Sequence, residues 1–120
     1  MPTKRARLIV KIKNAIVLRL SNSGELPKIN FSNYLSNELN YDYTYLANIF
    51  SDSEGYTIEQ FILTNKIETV KALIRLNNLS LTQIANKLHY SSLAHLSNQF
   101  KKITGFTPSF FKRINLKTSL

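Results

Sequence analysis

Residues 80–108 have the sequence SLTQIANKLHYSSLAHLSNQFKKITGFTP, in which two apolar stripes at helical spacing flank a short polar turn. An apolar residue at every third or fourth position predicts an amphipathic helix that packs one face on a core. Two such helices joined by a turn of about four residues are typical of a helix-turn-helix unit. The first stripe is Leu81, Ile84, Ala85 and Leu88, and the second is Leu93, Leu96, Phe100 and Ile103.

Residues that favour helix ends mark the limits of both helices. Ser80 with Gln83 predicts a capping box, in which each side chain bonds the backbone N–H of the other residue. His89-Tyr90-Ser91 predicts the tight turn, and Ser91 or Ser92 is expected to cap the second helix. Gly105 predicts its end, because glycine adopts the left-handed conformation at a helix C-terminus without strain. The pattern therefore has a defined start, turn and stop.

The other segments also predict helices, so the fold class is all-α with about seven helices, one of them long and central. Only three glycines and three prolines argue against an all-β fold rich in turns. Ile9-Val10 is also compatible with a strand, and Ser21 to Gly24 with Pro27 predicts a break after the first helix. The predicted helices and their inner residues are 7–20 (Leu8, Ile12, Ala15, Ile16, Leu20), 31–39 (Tyr34, Leu35, Leu39), 43–52 after an Asp42 cap (Leu46, Ile49, Phe50) and 57–76 after a Thr57 cap (Ile58, Phe61, Ile62, Leu73, Ile74). Thr107-Pro108 opens a last helix that runs through Phe110, Phe111 and Ile114.

The two halves of the chain repeat each other. Asn48 and Asn98 carry most weight in this comparison, because both are predicted on the outward side of their helices, where packing does not call for an amide. We interpret the pattern as two helix-turn-helix units, each followed by a further helix. At a spacing of 50 residues the pairs are Leu46/Leu96, Asn48/Asn98, Phe50/Phe100, Gly55/Gly105, Thr57/Thr107 and Phe61/Phe111, and at a spacing of 49 they are Leu35/Ile84 and Leu39/Leu88.

Charge is sorted along the chain. Residues 1–24 carry a net charge of +6, residues 25–68 carry −5, and residues 69–120 contain eight Lys or Arg and no acid. A face of one sign attracts polyanions, and the basic C-terminal half is also the half with the stronger helix-turn-helix pattern. Double-stranded DNA is therefore the expected partner.

Composition excludes several other classes of protein. The chain has no cysteine, so it has neither a disulfide framework nor a thiolate metal site, which suits a reducing cytoplasm. The longest apolar run is Leu8-Ile9-Val10, so we expect neither a membrane span nor a signal peptide. His89 and His95 have no acid or cysteine nearby, and three glycines do not make a nucleotide-binding loop. We predict no enzymatic activity, no catalytic residue, no metal and no cofactor.

The run from Ile84 to Pro108, IANKLHYSSLAHLSNQFKKITGFTP, closely resembles the C-terminal signature of AraC/XylS-type transcriptional regulators. That signature consists of I-A, three residues, G-[FY]-S and a stretch that ends F-K-K-x-x-G-x-[ST]-P. Lys66-Ile67-Glu68 resembles the R-[IL]-x segment between the two units, and the resemblance covers roughly residues 25–115. It implies a seven-helix domain in which the helix at 57–76 joins two helix-turn-helix subdomains. At about 1.5 Å per residue that helix is roughly 30 Å long, so we expect the recognition helices to reach successive major grooves.

The resemblance assigns the second recognition helix to residues 92–102 and the first to residues 43–51. Asparagine can bond an adenine edge with two hydrogen bonds, whereas lysines at a helix end fit phosphates. His95 is as compatible with a plain surface role as with a phosphate contact. The base-reading candidates are Leu93, Ala94, Ser97 and Asn98 in the second helix and Thr44, Ala47 and Asn48 in the first, and the phosphate candidates are Lys101, Lys102, Ser92, His95 and Tyr43.

Three places depart from the signature. His89 occupies the position of the turn glycine, and Lys66 replaces an arginine, which loses the planar two-pronged geometry of a guanidinium. Ser51-Asp52-Ser53-Glu54 stands where Lys101-Lys102-Ile103-Thr104 stands in the second unit. Two acids would repel a phosphate backbone, so we expect the first unit to bind DNA weakly or to contact another protein.

We interpret the sequence as the DNA-binding domain of a bacterial, cytoplasmic transcriptional regulator that binds specific duplex sequences mainly through its second unit. The expected parts are a basic segment with a first or linker helix (1–24), a first helix-turn-helix subdomain (25–56), a connecting helix (57–76) and a second subdomain (77–120). The alternative is an interaction module that binds RNA polymerase or a second regulator and has only non-specific affinity for DNA. The effector-binding or dimerisation domain usual in such regulators is not expected within these 120 residues, so the chain is either a stand-alone regulator or a fragment. The operator, the effector, the sign of regulation and the oligomeric state are not predicted.

Overall fold

A computed structural model describes residues 3–21 and 30–118 of the chain. These residues form helices and no strand, which confirms the predicted all-α class and the number of helices. The break predicted between Ser21 and Pro27 lies outside the described residues. The helices are α1 (Lys4–Ser21), α2 (Phe31–Leu39), α3 (Tyr43–Glu54), α4 (Ile58–Leu76), α5 (Leu81–Lys87), α6 (Leu93–Thr104) and α7 (Pro108–Thr118).

The chain divides into two compact units, Met1–Asn65 and Lys66–Leu120, and α4 contributes residues to both. The first unit contains α1, α2, α3 and the start of α4, which together enclose one apolar core. Ile9 was not predicted in this core; it is buried because the β-branched run of α1 is helical and not a strand. The core residues are Leu8, Ile9, Ile12, Ile16, Leu20, Leu35, Leu46, Ile49, Phe50 and Ile58, with Phe61 and Ile62 packed against them.

Side-chain caps and left-handed residues set the limits of these helices. α1 begins before residue 7 because the Thr3 hydroxyl oxygen accepts a hydrogen bond from the Ala6 N–H at 3.0 Å. α2 ends at Asn40 (φ 57°), and α3 ends at Gly55 (φ 79°), a conformation that glycine adopts without strain. Asp42 takes the predicted cap position of α3, although its side chain makes no capping hydrogen bond.

The second unit contains the rest of α4 with α5, α6 and α7. Of the three core positions that α4 supplies to this unit, Ile67 and Val70 were not predicted, and the predicted Leu73 is only half-buried. The prediction that Ile103 is buried is wrong, since its side chain is 41% exposed. Ile103 lies in the last turn of α6, where Thr104 turns inward instead and its hydroxyl donates to the Phe100 carbonyl at 2.8 Å. The core residues are Ile67, Val70, Ile74, Ile84, Ala85, Leu88, Tyr90, Leu96 and Phe100.

The helix boundaries of the second unit follow the predicted caps. Ser80 and Gln83 form the capping box, with bonds of 3.1 and 2.8 Å between each side chain and the other residue's N–H. The turn after α5 places His89 at φ 62°, so this histidine adopts the left-handed conformation of the glycine it replaces. Ser92 and not Ser91 caps α6, because its hydroxyl oxygen accepts from the His95 N–H at 3.0 Å.

The repeat predicted from the sequence is present in atomic detail. Phe50 and Phe61 meet edge to face at 5.8 Å, and Phe100 and Phe111 do the same at 5.6 Å. One turn later an asparagine side chain donates to the phenylalanine carbonyl at 2.8 Å in each unit, a further pair that was not predicted. Each unit is thus a helix-turn-helix closed by a third helix through the same two contacts. The additional pair is Asn65 and Asn115.

Candidate nucleic-acid interface

The second recognition helix, α6, has one buried face and one polar face of small side chains. Leu96 and Phe100 point into the core and are fully buried, so residues on the opposite side of the helix are left at the surface. Small side chains on such a face allow a helix to approach the floor of a major groove closely. Ala94, Asn98, Lys101 and Lys102 are exposed, and Leu93 and Ser97 are half-buried.

The start of α6 holds two predicted phosphate contacts in a fixed geometry. The Ser92 hydroxyl oxygen accepts the capping bond from His95, which leaves its O–H available as a donor. The imidazole Nδ1 of His95 lies 3.2 Å from the Ser91 hydroxyl oxygen. When Nδ1 accepts from that hydroxyl, Nε2 carries the proton and can donate to a phosphate. The N-terminus of a helix adds the partial positive charge of its free N–H groups to such a site.

The end of α6 is strongly positive. Lys101 and Lys102 are exposed, and within the described part of the chain neither forms an ion pair. No acid follows Glu68 in the sequence, and Glu68 itself lies 3.0 Å from the ammonium of Lys71. The charge of the two lysines is therefore available to phosphates.

The first recognition helix, α3, presents a similar polar face with a different start. Thr44 and Asn48 are exposed, and Ala47 is half-buried. The hydroxyl of Tyr43, a predicted phosphate contact, already donates a hydrogen bond to the Glu59 carboxylate. Burial, together with that hydrogen bond, raises the pKa of Tyr43. The structure therefore gives Tyr43 an acidic neighbour, which disfavours a phosphate at the same place.

The acidic end of α3 is paired with α1. Arg5 lies 3.6 Å from Asp52, and Lys13 forms an ion pair with Glu54. The hydrogen bond to Glu54 raises the pKa of Lys13. These pairs were not predicted, because the partners lie more than forty positions apart in the sequence and only the packing of α1 on α3 brings them together. The two carboxylates are thus neutralised in part by the protein's own cations.

A basic cleft of about 440 Å³ lies between the start of α1 and the end of α2. It was not predicted, although Lys4, Arg7 and Lys11 recur at helical spacing on one side of α1. The cations lie beside the C-terminal end of α2, whose free carbonyls carry partial negative charge, so they also stabilise that helix end. The cleft is lined by Lys4, Arg7, Leu8, Lys11, Glu38, Leu39, Asn40 and Tyr41.

Other kinds of site are not seen in the described ranges. Residues 3–21 and 30–118 contain no group of three or more His, Cys, Asp or Glu side chains placed to hold a metal ion. None of the helices described is both long enough and apolar enough to cross a lipid bilayer.

Comparison with known proteins agrees with this geometry. A family described as a helix-turn-helix domain matches residues 35–114. The F1 operon positive regulatory protein of Yersinia pestis is 34% identical over 70 residues, which are 58% of this chain and 23% of that protein. The Msm operon regulatory protein of Streptococcus mutans is 30% identical over 81 residues, which are 68% of this chain and 29% of that protein. The chain therefore spans less than a third of the length of either relative.

Solved structures share the fold. The C-terminal domain of AraT, a response regulator from Geobacillus stearothermophilus, has a TM-score of 0.76 and 19% identity, over 93% of this chain and 88% of that chain. A probable AraC family transcriptional regulator from Rhodopseudomonas palustris has a TM-score of 0.75 and 15% identity, over 91% of this chain and 97% of that chain. From the family match, the shared fold and the polar face of α6, we conclude that the chain belongs to the AraC/XylS-type family of helix-turn-helix transcriptional regulators.

Proposed function

We propose that the chain recognises specific sequences in duplex DNA, in the bacterial cytoplasm, and that its second unit makes most of the contacts. The observation that carries this proposal is the outward face of α6, where small polar side chains lead to Lys101 and Lys102, which form no ion pair with any residue of 3–21 or 30–118. The equivalent end of α3 carries Asp52 and Glu54, which are already engaged with α1. Because phosphates prefer the end without acids, the second unit has the higher affinity for DNA.

Contacts at the two ends of α6 would position the helix, and contacts in the middle would read the sequence. Ser92 and His95 at its start and the lysines at its end would bind phosphates, which carry no sequence information. Between them, Asn98 suits an adenine edge, Ser97 suits several bases, and the methyl group of Ala94 suits a thymine methyl. Recognition of this kind needs no metal or cofactor.

The experiment that tests the proposal is selection of bound sequences from a random pool of duplex DNA. We expect one sequence pattern to be enriched over successive rounds in the presence of competitor DNA. Ser97→Ala with Asn98→Ala, checked for folding by circular dichroism, is the matched control and should lose the pattern while it still binds DNA at low salt. Retention at low salt only, without enrichment of any pattern, would overturn sequence-specific binding.

A second candidate function is a protein contact through the first unit. It is favoured by the exposed acid at the end of α3, since the Asp52 side chain is 70% exposed and its pairing with Arg5 at 3.6 Å is loose. The partner would be RNA polymerase or a second regulator. Purified polymerase that binds the chain, and binds Asp52→Asn clearly more weakly at unchanged DNA affinity, would support this candidate. Equal binding of polymerase by both proteins would count against it.

A further inference from the structure

The turn between α5 and α6 holds a buried aromatic ring. Tyr90 is only 5% exposed, and its backbone N–H donates to the Ala85 carbonyl at 2.9 Å. The left-handed conformation of His89 directs the chain so that the ring of the next residue enters the core. The hydroxyl of Tyr90 has no hydrogen-bond partner, so the ring and not the hydroxyl carries the contacts at this position.

This ring connects α4 to the first turn of α6. The ammonium of Lys66, in α4, lies 4.4 Å from the centre of the Tyr90 ring. The imidazole of His95 meets the same ring at 5.1 Å with an interplanar angle of 85°. His95 is in turn held by the Ser91 hydroxyl and, through its backbone N–H, by Ser92. A displacement of the Tyr90 ring would therefore be felt at the start of the second recognition helix.

Lys66 depends on this ring because no carboxylate is free to take its place. The only acid of the second unit is Glu68, which pairs with Lys71. Lys66 is half-buried, and burial lowers the pKa of its ammonium, so the loss of water makes contact with a π face more favourable. Since a ring carries no net charge, this contact holds the cation without reducing the positive potential that faces DNA.

Two further cations of the second unit also lie over aromatic rings. Arg75 lies 5.5 Å from the centre of the Phe111 ring, and Arg113 lies 5.4 Å from that of Phe110. In the first unit, Lys13 and Arg19 also lie over rings, at 5.9 Å from Phe61 and 5.6 Å from Tyr34, but there Arg5 and Lys13 pair with carboxylates as well. Aromatic rings therefore hold cations in both units, and in the second unit, where Glu68 is the only Asp or Glu, they hold Lys66, Arg75 and Arg113.

We propose that Lys66 is a positioning residue for DNA recognition: by holding the Tyr90 ring it fixes the orientation of the start of α6. The consequence for base reading rests on the proposed function, whereas the effect on the order of α6 does not. The test therefore has one measurement on the free protein and one on the DNA complex.

The first measurement is amide hydrogen exchange of the free protein. In Lys66→Met, exchange at the Leu96 and Ser97 amides should rise about tenfold, because loss of the cation–π contact loosens the first turns of α6. Lys66→Arg should restore slow exchange, and Tyr90→Phe should match the unmodified chain because it keeps the ring. Unchanged exchange in Lys66→Met, or fast exchange in Tyr90→Phe, would overturn the proposal. If Lys66→Met does not fold, Tyr90→Phe still tests the proposal, because fast exchange in that variant would overturn it.

The second measurement is the ratio of dissociation constants for the selected DNA site and for the same site with one base pair changed. Lys66→Met should reduce this ratio about five- to tenfold, whereas Lys87→Met, which removes an exposed charge from α5, should weaken both complexes equally and keep the ratio. If the ratio is equally high in both variants, Lys66 is not a positioning residue. If the unmodified chain itself shows no discrimination, the proposed function fails and hydrogen exchange alone decides whether Lys66 orders α6.

Discussion

Asn48 and Asn98 are equivalent residues in the two recognition helices, and both are exposed. Their surroundings differ, because Asn98 is followed by Lys101 and Lys102, whereas Asn48 is followed by the carboxylates of Asp52 and Glu54. In the proposed complex with DNA, the same amide would lie in a positive field in one unit and in a nearly neutral field in the other. The identity of a side chain alone does not decide whether it reads a base.

Substitution of these two residues should have unequal effects. Asn98→Ala should reduce the free energy of binding to the selected site by about 1–3 kcal/mol, because the amide no longer bonds a base edge. Asn48→Ala should cost less, since the acidic end of α3 disfavours close approach. Fluorescence anisotropy with the selected duplex measures both, and equal losses would contradict the proposed division between the units.

The two lysines at the end of α6 should affect all DNA sequences alike. Lys101→Ala and Lys102→Ala should each weaken binding to the selected site and to unrelated DNA by the same factor, and each should lower the salt slope by about 0.9. The matched control is Lys71→Ala, because Glu68 already neutralises that ammonium at 3.0 Å. A change of base preference in either α6 variant would reassign that lysine to base reading.

Tyr90 should make the protein less stable at alkaline pH. Burial raises the pKa of Tyr90 from 10.0 to about 12, so the folded state keeps the phenol proton to a higher pH than the unfolded state does. Stability is therefore lost as the pH rises from about 10 to about 12, by roughly 1 kcal/mol at pH 11. Urea unfolding at pH 8 and pH 11 should show this additional loss in the unmodified chain but not in Tyr90→Phe. Equal losses in both proteins would mean that the folded state does not protect this proton.

At the scale of the elements, α1 determines what the end of α3 presents. Its Arg5 and Lys13 pair with Asp52 and Glu54, so the acids do not act as two free negative charges. Replacement of Asp52 and Glu54 by lysine would place positive charges beside Arg5 and Lys13 of α1. A change in DNA affinity could then come either from repulsion within the protein or from attraction to DNA.

Neutral replacement of the acids is the cleaner change. In Asp52→Asn with Glu54→Gln, Arg5 and Lys13 lose their partners and the first unit gains a charge of two. We expect tighter DNA binding and a salt slope that steepens by about one to two, because freed cations can reach phosphates. Glu38→Gln, which removes one negative charge from α2 in the same unit, shows how much a charge change away from α3 contributes per unit of charge. Unchanged affinity and slope in a folded double variant would favour a protein partner for the first unit.

The helices could be predicted more fully than the contacts between them. Periodicity and capping depend on residues only a few positions apart, so the capping box at Ser80 and the end of α6 at Gly105 could be predicted from the sequence. The outward face of α6 follows from the same periodicity. The ion pairs of α1 with α3, and the Lys66–Tyr90 contact, join residues far apart in the chain and arise only from packing. Ile103 shows that periodicity can fail even within one helix. It continues the apolar spacing of α6, but it lies in the last turn, which extends past the core, and so it is exposed.

At the scale of the whole molecule, charge segregation should control affinity. The chain has a net charge of +9, and three cations of its C-terminal half, Lys66, Arg75 and Arg113, lie over aromatic rings, which carry no net charge. Binding to a polyanion then releases counterions in proportion to the phosphates that are neutralised.

The resulting salt dependence should be steep. If about four to six phosphates are neutralised, a plot of log K against log salt concentration should have a slope of roughly −4 to −5. Anisotropy titrations at several potassium chloride concentrations, from about 50 to about 300 mM, measure this slope. A slope near zero would be incompatible with DNA binding by this chain.

The repeated joint between each recognition helix and the helix after it has a consequence for how such a protein can change. The ring pairs Phe50–Phe61 and Phe100–Phe111 fix α3 on α4 and α6 on α7 in the same way. Each pair lies on the buried side of its recognition helix, away from the exposed face. Substitutions at the exposed positions can therefore change the surface without weakening the packing of the helix on its neighbour. Two copies of one packing arrangement can therefore carry exposed faces of different charge, as the acidic end of α3 and the basic end of α6 do.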